Sequence, residues 1–380
     1  MIEIIEVKTK KQLKTFARFP ADVLYRNCKL YVPSIYSDEL MVMDKKKNFS
    51  LANCDVRCWL AYKDGKVAGR IAGIIQRKYN RVANEKCIRF SRFDCIDDIE
   101  VATGLLNAVE QFGIEQGMNT MHGPWGFNDQ DREGLLTYGF DRRATYATNY
   151  NYEYYEKLVK ENGFSDEAEW VEYDFTLPEA VDPRIVRISQ RVKEKFQIKE
   201  LCDTMSLKEI VKKYGHKAVD MMNKAYSVLD CYVELEGKEI DNLFDQFVTI
   251  INPRYFSLLV NKDDEVIGMG VVLPSIADAL VKCRGKLFPT GFIGLLKAIS
   301  KPKELEMAIV AVRPDYQKLG INSIIFNRIL QNIIDDGIQK IESNPELVTN
   351  VAVQSQWETL EHRLIKRRKT FVKKIGGIIE

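Results

Sequence analysis

Two stretches of this chain carry the same punctuation. Residues 59–74 read WLAYKDGKVAGRIAGI and residues 258–273 read LLVNKDDEVIGMGVVL. In each, an apolar segment reaches a Lys-Asp turn and resumes with Val-x-Gly: Val67, Ala68 and Gly69 in the first copy, Val266, Ile267 and Gly268 in the second. Apolar segments on both sides of such a turn predict a β-hairpin. Its recurrence at matching places in 380 residues predicts that a whole unit is duplicated.

The surroundings repeat as well. Residues 1–30 and 196–230 supply a strand and a helical region ahead of each hairpin, and an apolar strand and a long helix follow it. Val101, Leu105, Leu106, Val109 and Phe112 have helical spacing in the first half, as do Ile324, Ile325, Ile329, Leu330, Ile333 and Ile334 in the second. The helices end at Gly117 and Gly337, as left-handed caps require. Strand, helices, hairpin, strand, helix, strand, helix predicts an α/β fold (α+β mixed sheet), a central mixed sheet flanked by helices in each of two tandem domains. Pro178 and Pro183 interrupt the pattern, so a linker is expected over Leu177–Ile188 between domains at 1–177 and 189–380.

A 46% hydrophobic share supplies two cores, and 29% charged residues without low-complexity tracts argue against disorder. Fifty-six basic against 54 acidic residues leave a charge of +2, too balanced for a dedicated nucleic-acid binder, so no nucleic-acid partner is expected. Met1–Val7 alternates apolar and acidic residues, reads as a first strand and lacks the features of a secretory signal. The longest apolar run, Phe288–Ile299, is cut by Pro289, Gly291, Gly294 and Lys297 and falls short of the ~20 residues a membrane span needs. A soluble, cytoplasmic protein is expected. Eight cysteines without a C-x-x-C pair and three scattered histidines predict reduced thiols and no metal site.

One segment looks built for an anion. The apolar strand Met307–Val312 runs into Arg313-Pro314-Asp315-Tyr316-Gln317-Lys318-Leu319-Gly320-Ile321-Asn322 and directly into a helix. A strand that stops at proline and reopens as a helix leaves backbone N–H groups without helical partners. Gly320 allows close approach, Gln317 and Lys318 add donors, and the helix N-terminus adds about half a positive charge. A phosphate cradle over Gln317, Lys318, Leu319, Gly320, Ile321 and Asn322 is one reading; a plain strand-to-helix turn is the other. At the matching place in the first half, Asp94, Asp97, Asp98 and Glu100 precede the helix. They cap it well and repel phosphate.

At these residues the chain resembles the GNAT superfamily of acyl-CoA-dependent N-acyltransferases, whose [Q/R]-x-x-G-x-[G/A] turn cradles the coenzyme A pyrophosphate. Gln317 and Gly320 match, and Asn322 stands where a small residue is usual. The runs HGPWGFND (His122–Asp129), EGLLTYGFD (Glu133–Asp141) and YNYEYY (Tyr150–Tyr155) resemble a bacterial group that includes bacterial ceramide synthases, which move a fatty acyl group from a thioester to a sphingoid amine. Those glycines and aromatics read equally as turn and interface structure. The resemblance implies acetyl-CoA or a longer acyl-CoA as donor and a small-molecule or lipid amine as acceptor. It implies an oxyanion donor among the N–H groups of Val310, Ala311 and Val312, and a pantetheine contact at Asn350.

Acyl transfer to an amine needs a base, an oxyanion donor and a proton for the departing thiolate. Glu306, at the start of the phosphate strand, is the candidate base and Glu342, on the next strand, the second choice; both also read as exposed strand residues. The proton source common in the superfamily, a tyrosine on the following helix, is missing from the helix expected over Ser355–Lys366. Arg363, Lys366, Arg367, Arg368, Lys369, Lys373 and Lys374 read as a solvated basic face or as a peripheral membrane contact with anionic lipid. Leu287–Leu296 reads as an acyl-tunnel wall or as core filling. Two other functions stay open: a noncatalytic acyl-CoA-binding or regulatory protein, and an aminoacyl-tRNA-dependent transferase, which the balanced charge disfavours.

Overall fold

The computed structural model describes residues 1–128, 130–227, 232–354, 357 and 360–376. Asp129 and Cys231, and part of the 355–366 segment, lie outside the described residues. In the first half the strands are β1 (Ile2–Glu6), β2 (Cys54–Lys63), β3 (Lys66–Gln76), β4 (Cys87–Cys95), β5 (Thr120–Gly123), β6 (Leu135–Tyr138) and β7 (Ser165–Phe175). In the second they are β8 (Lys199–Glu200), β9 (Phe256–Val260), β10 (Val266–Pro274), β11 (Glu304–Val312), β12 (Lys340–Glu342), β13 (Glu346–Leu347) and β14 (His362–Lys374). Among the described residues they form one 14-stranded mixed sheet in the order β1-β2-β3-β4-β5-β14-β7-β12-β11-β10-β9-β8, with β6 on β14 and β13 on β7.

The helices that matter below are α1 (Ile99–Glu115), α2 (Pro183–Phe196), α3 (Leu207–Tyr226), α4 (Lys238–Phe247), α5 (Ala277–Cys283), α6 (Gly291–Ser300) and α7 (Ile321–Asp335). Asp98 caps α1, its carboxylate accepting from the N–H groups of Glu100 and Val101 at 3.0 and 3.2 Å. Both repeated hairpins form, β2–β3 and β9–β10. Their Val-x-Gly glycines have a packing reason. A Cβ on Gly69 would lie 2.7 Å from Leu105 of α1, and one on Gly268 would lie 3.2 Å from Ile321 of α7. Each half therefore seats its long helix on a bare patch of its second hairpin strand.

In the second half α7 and α2 cover one face of the sheet around Ile321, Ile325 and Ile329. The opposite face carries α3 and α4, with Ile210, Met222, Leu258 and Val271 between them. One parallel pair marks the middle of each half. β4 meets β5 at Cys87–Arg89 with Thr120–His122, and β11 meets β12 at Glu304–Glu306 with Lys340–Glu342. Beyond those short contacts β4 and β11 run on without them.

The long pair β7–β14 joins the halves: β14 hydrogen-bonds to β5 on its other side, and β7 to β12. From His362 onward the segment expected to be helical as far as Lys366 is a strand, and only part of the basic terminal region, Arg363 and Lys374, is exposed. Lys366 and Arg368 are fully buried. Their partners sit across the ladder on acidic β7: Lys366 and Arg368 both donate to Glu172, while Arg367 and Lys369 reach Glu169 and Asp166. Nearby Arg368 and Lys366 hold the Glu172 carboxyl below its usual range against the penalty of burial.

Candidate active site

A cavity of ≈ 660 Å³ opens where β11 leaves β12, walled by Glu306–Val310 of β11 and by Asn344–Leu347 of the β12–β13 connection. Its apolar end lies between α3, α4 and the sheet, at Ile210, Met222, Phe244, Leu258 and Val271. The other end belongs to the first half, where Arg70 is clamped between Asp94 (2.8 Å) and Glu39 (2.9 Å) and Arg92 reaches Glu39. Burial alone would raise the Glu39 carboxyl, yet Arg92 and Arg70 pull it down to about 2. The cavity is thus oily at one end and charged at the other.

Glu306 is the pivot. The chain does not leave it exposed, because the sheet continues past β12 into β7 and β14; it is buried, as is Glu342. Its Oε1 accepts from the Ser275 hydroxyl at 2.6 Å and its Oε2 from the Tyr146 N–H at 3.2 Å. Burial raises its carboxyl to about 7, with Ser275 opposing and the Glu342 charge adding to the rise. A carboxyl half-ionised near neutral pH is suited to exchange a proton with an ammonium. Glu342 does not line the cavity; Lys366 and Lys340 hydrogen-bond it from β14 and its own strand.

A second carboxyl in the cavity, Glu346, is likewise raised to about 7 by burial, although the Trp357 indole N–H donates to both of its oxygens at 2.8 and 2.9 Å.

The free edge of β11 is polar. Asn344 Nδ2 donates to the Ala308 carbonyl at 2.9 Å and the Tyr226 hydroxyl to the Val310 carbonyl at 3.1 Å. A strand residue turns its N–H and C=O to the same side, so the Val310 N–H faces the cavity edge as its carbonyl does. Ala311 and Val312 are buried and do not line the cavity. Asn350 does, accepting from the Val353 N–H at 3.4 Å.

Past the far end of β11, Gln317 Nε2 donates to the Val312 carbonyl at 3.0 Å and pins the turn. Lys318 (φ 62°) and Gly320 (φ 84°) take left-handed backbone, Leu319 is exposed, and Ile321 opens α7 from the core. Asn322 Oδ1 is buried and has no hydrogen-bond partner among the described residues. The left-handed turn and the helix N-terminus offer backbone N–H donors suited to an anion, while Asn322 Oδ1, an acceptor, adds none. The structure thus brings Glu306, Val310 and Asn350 to one cavity and leaves Gln317–Asn322 at the other end of the same strand.

Sequence reasoning missed Ser275, Tyr146, Asn344 and Tyr226, which come from distant loops and a helix end and carry no local signal. It also missed the Glu39–Arg70–Asp94 cluster. Among the described residues Glu85, Cys87 and His122 come within 4.8 Å of one another, away from the cavity. His122 is engaged by Glu167 (2.6 Å) and Thr120 (2.9 Å), and the Cys87 thiol donates to Asn80.

Residues 222–355 match the Acetyltransferase (GNAT) family. Over 377 residues the chain is 24% identical to Protein YghO of Escherichia coli strain K12, covering 96% of this chain and 94% of that one. Over 329 residues it is 23% identical to the Bacterial ceramide synthase of Caulobacter vibrioides, covering 83% and 82%. In structure it is similar to a tandem GNAT protein from the clavulanic acid biosynthesis pathway, with a TM-score of 0.56 at 9% identity and 100% of both chains covered. It is also similar to a GCN5-related N-acetyltransferase from Sphaerobacter thermophilus, with a TM-score of 0.51 at 10% identity, covering 99% and 97%.

Proposed function

We propose, from the premise that this chain carries a GNAT acetyltransferase domain on a tandem GNAT fold, that it is an acyl-CoA-dependent N-acyltransferase whose working cavity lies between its halves. The observation that carries this reading is Glu306, a buried carboxyl raised to about 7 where β11 parts from β12. The turn Gln317–Asn322 takes the pyrophosphate, and the pantetheine arm follows the free edge of β11 past Asn350. Glu306 removes a proton from the acceptor ammonium. Glu306 passes that proton to solvent, the amine nitrogen forms its bond to the thioester carbon, the Val310 N–H receives the oxyanion, and as the oxyanion collapses the C–S bond breaks while the surplus proton on nitrogen passes to Glu306 and on to solvent. Tyr226 is assigned the proton that the thiolate takes.

The apolar lining of α3 and α4 favours a long acyl group or a lipid amine over a wholly polar pair, in keeping with the name of the Caulobacter relative, a bacterial ceramide synthase. In this reading residues 1–177 contribute the charged end of the cavity and 189–380 the coenzyme site. Glu342 holds Lys366 in place and takes no proton from substrate.

Thermal unfolding with acetyl-CoA and with a long-chain acyl-CoA tests the proposal, comparing wild type with Gly320→Glu and with Gly320→Ala, which shares the backbone strain but adds no charge. Ligand at ~100 times its Kd stabilises by about 2.7 kcal/mol, a shift of a few degrees. The shift is expected in wild type and Gly320→Ala and lost in Gly320→Glu. No shift with any thioester sinks the reading, and a shift without turnover on any amine leaves the noncatalytic binding protein.

A further inference from the structure

The apolar segment before β11 does not line the cavity, and it fills a core on one side only, through Leu287 and Leu295. Only one side of α6 is covered: Leu295 and Ile299 pack with Leu280 of α5 and Tyr31, and a Cβ on Gly291 would meet Cys283 at 2.8 Å. The opposite side is equally apolar and faces outward. Ile293 and Leu296 are each 58% exposed, Phe292 is 38% exposed, and Phe288, on the loop leading into the helix, is 82% exposed. Phe288 and Phe292 stand 5.9 Å apart as a paired aromatic prow. A helix apolar on all sides belongs inside a core or against lipid, and this one lies on the surface. An exposed patch of this kind marks an interaction site.

The charges around it select the partner. Between Asp278 and Glu304 the chain has Lys282, Arg284, Lys286, Lys297, Lys301 and Lys303 and no acidic residue. Arg284 is tied down by Asp22, whereas Lys282, Lys297, Lys301 and Lys303 are exposed and form no ion pair among the described residues. A second copy of this chain docking face to face would set these cations against one another. An anionic surface with an oily interior satisfies both the lysines and the phenylalanines.

We propose that Phe288, Phe292, Ile293 and Leu296, together with the exposed Lys282, Lys297, Lys301 and Lys303 of the same segment, dock the protein on the surface of an anionic lipid bilayer. The helix lies in the interface and does not cross it: among the described residues no helix is long and apolar enough to span a membrane. The internal strand β14, whose cations are matched by β7, has no part in this contact. The proposal is independent of the acyltransferase reading, because it concerns a different face and is read without activity.

Co-sedimentation of the full chain with phosphatidylglycerol/phosphatidylethanolamine vesicles, and with neutral phosphatidylcholine vesicles, tests it. Binding is expected on the anionic vesicles and at least about tenfold weaker on the neutral ones. Ile293→Ser with Leu296→Ser is expected to abolish sedimentation at unchanged thermal midpoint, since both side chains are exposed. Lys297→Gln and Lys301→Gln each weaken binding about fivefold, and about 0.5 M salt suppresses what they leave. Failure to bind anionic vesicles, or binding that ignores these substitutions, overturns the proposal. So does a concentration-dependent dimer that Ile293→Ser dissolves, which would assign the patch to a second copy.

Discussion

The Ser275 hydroxyl reaches Glu306 Oε1 at 2.6 Å, and with the Tyr146 N–H on the other oxygen it fixes the carboxyl plane in the cavity wall. Position and proton affinity are therefore set separately: hydrogen bonds orient the group while burial raises it to about 7. In the acyltransferase reading kcat/KM rises with pH along a limb centred near 7. Glu306→Gln removes the limb and lowers kcat by about 100-fold or more. A pH–rate profile of the two proteins on one acyl-CoA and amine checks this.

The same carboxyl predicts a stability effect. Its folded value lies above the ordinary 4.5, so between about 4.5 and 7 the folded chain binds the proton more tightly than the unfolded one. Glu306 therefore contributes a loss of stability as pH rises through that window, complete above it. Glu306→Gln should be more stable than wild type at pH 8 by on the order of 1–3 kcal/mol and no more stable at pH 4. Chemical denaturation at the two pH values measures the difference.

Lys366 serves two acids, Glu172 on one side and Glu342 on the other, with its side chain fully buried. Lys366→Met leaves uncompensated charge in the interior and should cost about 3–5 kcal/mol. Arg363→Gln, on the same strand with an exposed side chain paired to Asp174, should cost less than about 1 kcal/mol. Thermal unfolding of both variants compares a buried with a solvated ion pair on one ladder.

A Cβ on Gly270 would lie 2.3 Å from Ile325 Cγ2. Gly270→Ala should destabilise by about 1–3 kcal/mol. Adding Ile325→Leu, which takes the branch off Cβ at nearly constant volume, should recover part of that loss in urea unfolding.

Local patterns were readable where one short stretch decides the outcome. The hairpins, the long helices that end at Gly117 and Gly337 and the acidic cap at Asp98 all depend on residues near in sequence or on a period of 3.6 or 2. The 362–374 segment was misread because its meaning is held elsewhere. Its basic residues look solvent-exposed until Asp166, Glu169, Glu172 and Asp174 of β7 are set opposite them. Placing those two charge-complementary segments side by side was the available signal. Glu306 was identified but its burial was not, since Tyr146, which donates to it, lies 160 residues away in the chain. The charged end of the cavity was invisible for a similar reason: Glu39, Arg70 and Asp94 meet only when a loop and two strands have folded.

The exchange of strands at the centre of the sheet also sets a timetable. One edge of β5 must wait for Phe371–Lys374, and the Asp174–Phe175 end of β7 for Ile341 and Glu342 of β12, before they are paired. During synthesis the first half leaves the ribosome with β5 paired only to β4, its other edge a template for pairing with a neighbouring chain until residues 362–374 have emerged. Contacts that span most of the chain close late and slowly. The duplicated halves are consequently one cooperative body: cutting the chain between them would strand β7 and β14 on the wrong fragments, and two halves made separately would complete their sheet only by finding each other.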